Sequence, residues 1–248
     1  MAGHSHAANV AIRKGAQDKK RAKLFSKLSK EIIVAARLGG GDPDSNARLR
    51  LALKKARSQS LPKDTITRAI KKGTGDLDGE SYDELMMEGY GPGGTAILCE
   101  VMTDNRNRAA GDIRFAFSKG GGNLGTSGCV AYMFNRKGVI TAKGDEEEVM
   151  LMALDAGAED VADNDDGTWE VLTEPGDCES VVAALDEGGV EVVKDEVLII
   201  PDNRVKVEGK EAQQLLRMLD LLDDCDDVQS VTHNADIAKA DIEAYADS

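Results

Sequence analysis

The first 75 residues hold 18 Lys and Arg against 5 Asp and Glu, a net of +13. Side chains of this type, repeated at helical spacing, suit one chemistry above others: contact with a polyanion. DNA and RNA backbones carry dense negative charge, and each Lys or Arg that reaches a phosphate releases condensed counterions. The candidates are Arg13, Lys14, Lys19, Lys20, Arg21, Lys23, Lys27, Lys30, Arg48, Lys54, Lys55, Arg57, Lys71 and Lys72. A solvated helix face normally mixes both signs, and this one does not. Two further candidates, Arg106 and Arg108, lie in the segment Thr103-Asp-Asn-Arg-Asn-Arg108 between a predicted strand and a predicted helix. Asp104 or Asn105 suits the helix cap, and guanidinium groups beside a helix N-terminus can hold an anion such as phosphate. The plain alternative is a capped loop with two surface arginines.

Other chemistries find no support. The three histidines, His4, His6 and His233, form no set with Ser, Cys or Asp for nucleophilic catalysis. No catalytic residue is assigned, and the chain reads as a non-enzyme. The four cysteines are widely spaced without a CxxC pair, which suggests core residues in a reduced, cytoplasmic setting. Neither they nor the histidines make a metal site. Two GxGxxG matches, Gly89–Gly94 and Gly120–Gly125, lack the strand-before, helix-after context that a dinucleotide site needs, so no cofactor is expected. Asp163–Gly167 resembles a calcium loop, but its first ligand position falls on Ala162, and a hairpin turn explains it better.

The elements that must hold the cations follow from apolar period. Leu24, Leu28, Ile32 and Ala35 form a stripe on a helix predicted from Gln17 to Leu38, with residues 1–15 as a mobile arm. Gly39-Gly40-Gly41 ends that helix. A second helix is predicted from Asn46 to Ser58, burying Leu49, Leu53 and Ala56. A third runs from Pro62 to Gly73, burying Ile66, Ala69 and Ile70. Short connections make these a small bundle.

Beyond a Gly- and Asp-rich linker at 73–79 the period changes. Strands are predicted at 95–101 and 129–134 around a helix at 108–118. From Gly138 a β-α-β pattern occurs twice in tandem, with helices at 146–156 and 178–186, as in a ferredoxin-like sandwich. A third such unit follows: RVKVEG, a helix at 212–222 and a strand at 228–232. The predicted fold is therefore α+β: a basic N-terminal three-helix bundle followed by two ferredoxin-like α/β domains, one inserted in the other. The predicted boundaries are 1–78 for the bundle, 79–135 with 204–240 for the middle domain, and 136–203 for the insertion.

The rest of the chain, beyond residue 75, holds 13 Lys and Arg against 40 Asp and Glu, a net of −27, which with the +13 gives the formal −14. An acidic body joined to a basic module is the expected organisation. The run Asp223-Asp-Cys-Asp-Asp227 sits at a predicted helix C-terminus, where negative charge is unfavourable; it serves solubility or meets a basic partner. No apolar stretch approaches a membrane span.

Several motifs together resemble the YebC/PmpR family, which includes mitochondrial translational activators. They are Met-Ala-Gly-His-Ser at 1–5, AARLGGGDP at 35–43, DTITRAIKKG at 64–73, EGYGPGG at 88–94, TDNRNR at 103–108 and GGNLG at 121–125. The resemblance spans essentially the whole chain. It implies three domains, a helical bundle and two α/β domains. The arm departs from the family pattern: His6 and Ala7 stand where Lys and Trp are usual, and Ala11 and Ile12 where Lys and His are usual. Those contacts are not carried over, whereas Arg13, Lys14, Gln17, Asp18, Lys20 and Arg21 fit. The resemblance implies a DNA-binding transcriptional regulator; a ribosome- or RNA-associated translation factor is the alternative. A protein-interaction scaffold using the acidic α/β domains is a third reading of a different class.

Overall fold

A computed structural model describes residues 6–164 and 166–246, with side chains from Lys20 onward. The expected apolar stripe organises the first helix. α1 (His6–Gly39) buries Leu28, Ile32, Ile33, Ala35 and Ala36 against α2 (Ala47–Ser58) and α3 (Lys63–Thr74). Leu49, Leu53 and Ala56 of α2 and Ile66 and Ala69 of α3 complete this core. α1 starts well before Gln17. Residues 6–15, expected as an arm, are helical; Ala7, Ala8 and Ala11 favour the helix and no proline interrupts it. Residues 1–5 of that expected arm lie outside the described residues.

Two details lock the bundle. Asn46 is buried and caps α2 by accepting from Leu49 N–H at 3.0 Å, while its amide donates to the carbonyls of Ala35 and Gly40 at 2.8 Å each. One side chain thus satisfies groups at the end of α1 and the start of α2. Gly73, the expected end of α3, instead lies inside the helix where α3 meets α1. A Cβ there would come within 2.5 Å of Ile33 O and 2.6 Å of the Ala36 Cβ. The left-handed stop falls instead on Gly75, at φ +85°.

The next strands are β1 (Asp83–Tyr90) and β2 (Ala96–Thr103), followed by α4 (Arg106–Lys119) and the short β3 (Asn123–Leu124). The strand expected at 129–134 is instead a 3₁₀ turn, Ala131–Met133. Its cause is Glu88, a buried carboxylate that accepts from the N–H groups of Gly128, Val130 and Ala131 at 2.7, 2.9 and 2.8 Å. Backbone donors held by a side chain cannot join a ladder.

A β-α-β pair then follows: β4 (Phe134–Lys143), α5 (Glu146–Asp155), β5 (Asp160–Asp163), β6 (Trp169–Thr173), α6 (Cys178–Glu187) and β7 (Glu191–Pro201). Their sheet has the order β5-β6-β4-β7, antiparallel throughout, as in a ferredoxin-like sandwich. Val149, Ala153, Val181 and Leu185 of the helices bury against Ile140, Ala142, Val171 and Val190. β7 is one continuous strand. It pairs with β4 from Phe134↔Pro201 to Lys143↔Glu191, with a register shift at Thr141/Ala142.

The chain closes with β8 (Val205–Val207), α7 (Gly209–Asp223), β9 (Val228–His233), β10 (Ala235–Ile237) and α8 (Lys239–Ala246). β9 joins a four-stranded sheet of order β3-β1-β2-β9, whereas β8 forms a separate parallel pair with β10. The third β-α-β unit expected here therefore gives only its second strand to the larger sheet. By compactness the chain divides into two units. One holds the described residues up to 87 with 99–119 and 218–231; the other holds 88–98, 120–217 and 232 onward.

Candidate nucleic-acid interface

All sixteen candidate cations belong to the first unit. Arg13, Lys14 and Lys19 lie on α1, and their side chains are outside the described residues. The other thirteen divide into two groups.

The first group is engaged internally. Lys23, Lys27 and Lys30 project from α1 at spacings of four and three, which places them on one face. Each meets the acidic run after α7. Lys27 Nζ lies 2.6 Å from Asp223, Lys23 Nζ 3.0 Å from Asp224, and Lys30 Nζ 3.2 Å from Asp227. The same ammonium groups also donate to backbone carbonyls: Lys23 to Asp224, Lys27 to Asp223 and Lys30 to Asp226. Those carbonyls lie at and beyond the C-terminal end of α7, where the helix dipole is negative and orphan acceptors gather. The run that is unfavourable on its own helix is thus compensated by lysines from another.

Arg108 belongs to the same cluster. It reaches Asp227 through Nε at 3.0 Å and Nη2 at 2.8 Å, and Asp104 at 2.6 Å. Hydrogen bonds to Asp227 and then Asp104 push its already high pKa further up. The cap expected on α4 is Asn105, whose side chain accepts from Arg108 N–H at 3.1 Å. Arg106 pairs with Asp83 at 2.8 Å. The anions beside these two arginines are therefore carboxylates of the chain itself. Arg48 forks between Glu84 and Glu31, with Nε 2.9 Å from Glu31, and its pKa is raised chiefly by the bond to Glu84.

The second group faces solvent. Lys20 and Arg21 on α1, Lys54, Lys55 and Arg57 on α2, and Lys71 and Lys72 on α3 are exposed. Lys54 has an interaction of its own. Lys20, Lys55, Arg57, Lys71 and Lys72 make no ion pair with another described residue. Two exposed cations on α3, Lys63 and Arg68, stand with them and were not among the sequence candidates. The signal was present: both fall off the Ile66–Ala69–Ile70 stripe and so point outward.

Between the helices is a groove of about 410 Å³ lined by Lys20, Arg21, Leu24, Phe25, Ser58, Gln59 and Ser60. The Arg21 guanidinium lies 5.1 Å from the centre of the Phe25 ring, within cation–π range. Among the described residues no group of three or more His, Cys, Asp or Glu side chains is placed to hold a metal ion. No helix among them is long and apolar enough to cross a membrane.

Residues 5–76 match the model described as the TACO1/YebC protein N-terminal domain, and residues 82–235 match the TACO1/YebC second and third domain. The chain belongs to the TACO1/YebC family. A relative from Syntrophotalea carbinolica, named "Probable transcriptional regulatory protein", is 56% identical over 240 residues, covering 96% of both chains. One of the same description from Desulforapulum autotrophicum is 53% identical, covering 96% of this chain and 97% of its own. Among solved structures, the crystal structure of a conserved hypothetical protein from Aquifex aeolicus is similar. It has a TM-score of 0.78 and 43% identity, and the match covers 90% of this chain and 93% of that one. The YebC resemblance carried by TDNRNR and the other motifs is thus a family membership.

Proposed function

We propose that the chain is a non-enzymatic, nucleic-acid-binding regulator of gene expression that acts on DNA as a transcriptional regulator. The observation that carries this reading is the set of exposed cations on three packed helices that make no ion pair with another described residue: Lys20, Lys55, Arg57, Lys63, Arg68, Lys71 and Lys72. Like charges concentrated on one small bundle repel one another, and a polyanionic ligand relieves that repulsion. In this reading residues 1–78 bind, and the acidic α/β parts, 79–135 with 204–240 and 136–203, are available to protein partners. The names of the relatives from Syntrophotalea and Desulforapulum support a transcriptional role. The connection from α2 to α3, residues 59–62, has the length of a helix-turn-helix turn, and α3 presents Lys63, Arg68, Lys71 and Lys72 outward.

A second reading, an RNA- or ribosome-associated translation factor, is favoured by the groove. Its apolar wall of Leu24 and Phe25 beside Lys20 and Arg21 suits an unpaired base better than a duplex. In-cell crosslinking with sequencing of both DNA and RNA tests the two. Enrichment of promoter DNA is the expected result; recovery of RNA alone replaces the first reading with the second.

A further inference from the structure

The α1 lysine row has an occupant in the free protein. Lys23, Lys27 and Lys30 repeat along the helix at intervals of about 6 and 4.5 Å, a ladder of positive charge suited to a chain of regularly spaced anions. Residues 223–227 fill it with such a chain: carboxylates from Asp223, Asp224 and Asp227, and carbonyls from Asp223, Asp224 and Asp226. The pairs are not alike. The Asp227 side chain is 4% exposed and is shared by Lys30 and Arg108, whereas Asp223, Asp224 and Asp226 are 71%, 80% and 87% exposed. Exposed ion pairs are individually weak and fade with salt, so this end of the run is displaceable while Asp227 stays as its anchor.

We propose that residues 223–226 are an intramolecular polyanion that covers Lys23 and Lys27, and that the phosphodiester backbone of a bound nucleic acid displaces them. The acidic run thereby sets a threshold for binding. This inference rests on the nucleic-acid-binding function proposed above. In the closed form the accessible candidate cations among the described residues are those of α2 and α3 that face solvent, with Lys20 and Arg21. Opening adds Lys23 and Lys27 to the same helical surface and extends the contact along α1. A weak, non-cognate contact does not displace the run, and a ligand that contacts α2, α3 and α1 together does.

The test compares three full-length proteins by fluorescence anisotropy with a labelled 20-nucleotide single strand and a 20-base-pair duplex. They are the wild type, D223N/D224N/D226N, and a charge-matched control E146Q/E147Q/E148Q, altered at exposed positions of α5. Asn matches Asp in shape, and circular dichroism checks the fold. The expected result is at least roughly tenfold tighter binding by the Asp variant than by both other proteins, with a salt slope steeper by about one to two phosphate contacts. Adding K23E/K27E to the Asp variant is expected to abolish that gain. If the wild type binds and the Asp variant is no tighter than the control, the latch is wrong and the proposed function stands. If the gain survives K23E/K27E, the lysine row is not the covered site. If no protein binds either ligand at low ionic strength, the proposed function itself fails.

Discussion

Arg108 and Asp227, 119 residues apart in the chain, meet in a forked ion pair with contacts at 2.8, 2.9 and 3.0 Å, and Lys30 reaches the same carboxylate at 3.2 Å. Asp227 also accepts from Met102 N–H through its carbonyl at 2.9 Å. One buried residue therefore joins α1, β2, α4 and the segment after α7. Asp227→Ala leaves the nearly covered Lys30 ammonium without its carboxylate, and a loss of about 2 kcal/mol is expected in urea denaturation. An unchanged midpoint would show that this junction adds no stability.

Asn46 has three partners, Ala35 of α1, Leu49 of α2 and Gly40 just past the end of α1, and no other side chain of its size offers one acceptor and two donors at that point. Asn46→Ala is expected to cost about 2 kcal/mol, the sum of a lost cap and carbonyls left unpaired. Asn46→Asp keeps the acceptor but loses the donors, so it is not expected to rescue stability.

Gly73→Ala forces a methyl group against Ile33 O and Ala36. The α1–α3 contact must open, at a cost of about 1–3 kcal/mol. A neighbouring substitution, Lys72→Ala, leaves the packing alone and serves as the reference. Differential scanning calorimetry on the two variants distinguishes packing from charge.

Glu88 gives a pH signature. Burial raises its pKa, but the three backbone donors from Gly128, Val130 and Ala131 outweigh this and hold it below the ordinary 4.5. Because the folded value is the lower one, the stabilisation is complete above the unfolded pKa and is lost as pH falls through the folded pKa. Glu88→Gln is expected to cost about 2 kcal/mol near neutral pH. The gap between wild type and variant is expected to close on acidification below the folded pKa. A gap that stays constant with pH would mean the carboxylate's charge plays no part.

Binding should be strongly salt-dependent. With roughly six or more phosphate contacts, affinity is expected to fall by about three orders of magnitude or more between 50 and 200 mM salt. Reversing charge at Lys55, Arg68, Lys71 and Lys72 is expected to flatten that dependence as well as weaken binding. A flat response in the wild type would argue against a phosphate-led interface.

The bundle was legible because Leu24, Leu28, Ile32 and Ala35 repeat at helical spacing, and the ferredoxin-like sandwich because its β-α-β pattern occurs twice. Three features were not. The start of α1 has no apolar stripe in the sequence to mark it. β1 was hidden because Asp83, Glu84 and Glu88 look like linker residues, and its place between β3 and β2 in the sheet reveals the strand. The turn at Ala131–Met133 depends on Glu88, 43 residues from its Ala131 contact. The cations were readable as a set, but not their division. Nothing local in Lys23 or Lys27 announces Asp224 or Asp223, 201 and 196 residues away.

The pairing of Phe134 with Pro201 has a consequence for how this chain can change. Met133 O and Asp202 N–H are 2.9 Å apart, and Asn135 binds Asp202 at 2.6 Å. The ends of β4 and β7 are thus tied side by side, and Phe134 and Ile199 pack with Ala96, Leu98 and Val130 in one apolar cluster. An insertion within either strand would loosen that cluster as well as the sheet, so this junction transmits change instead of isolating it.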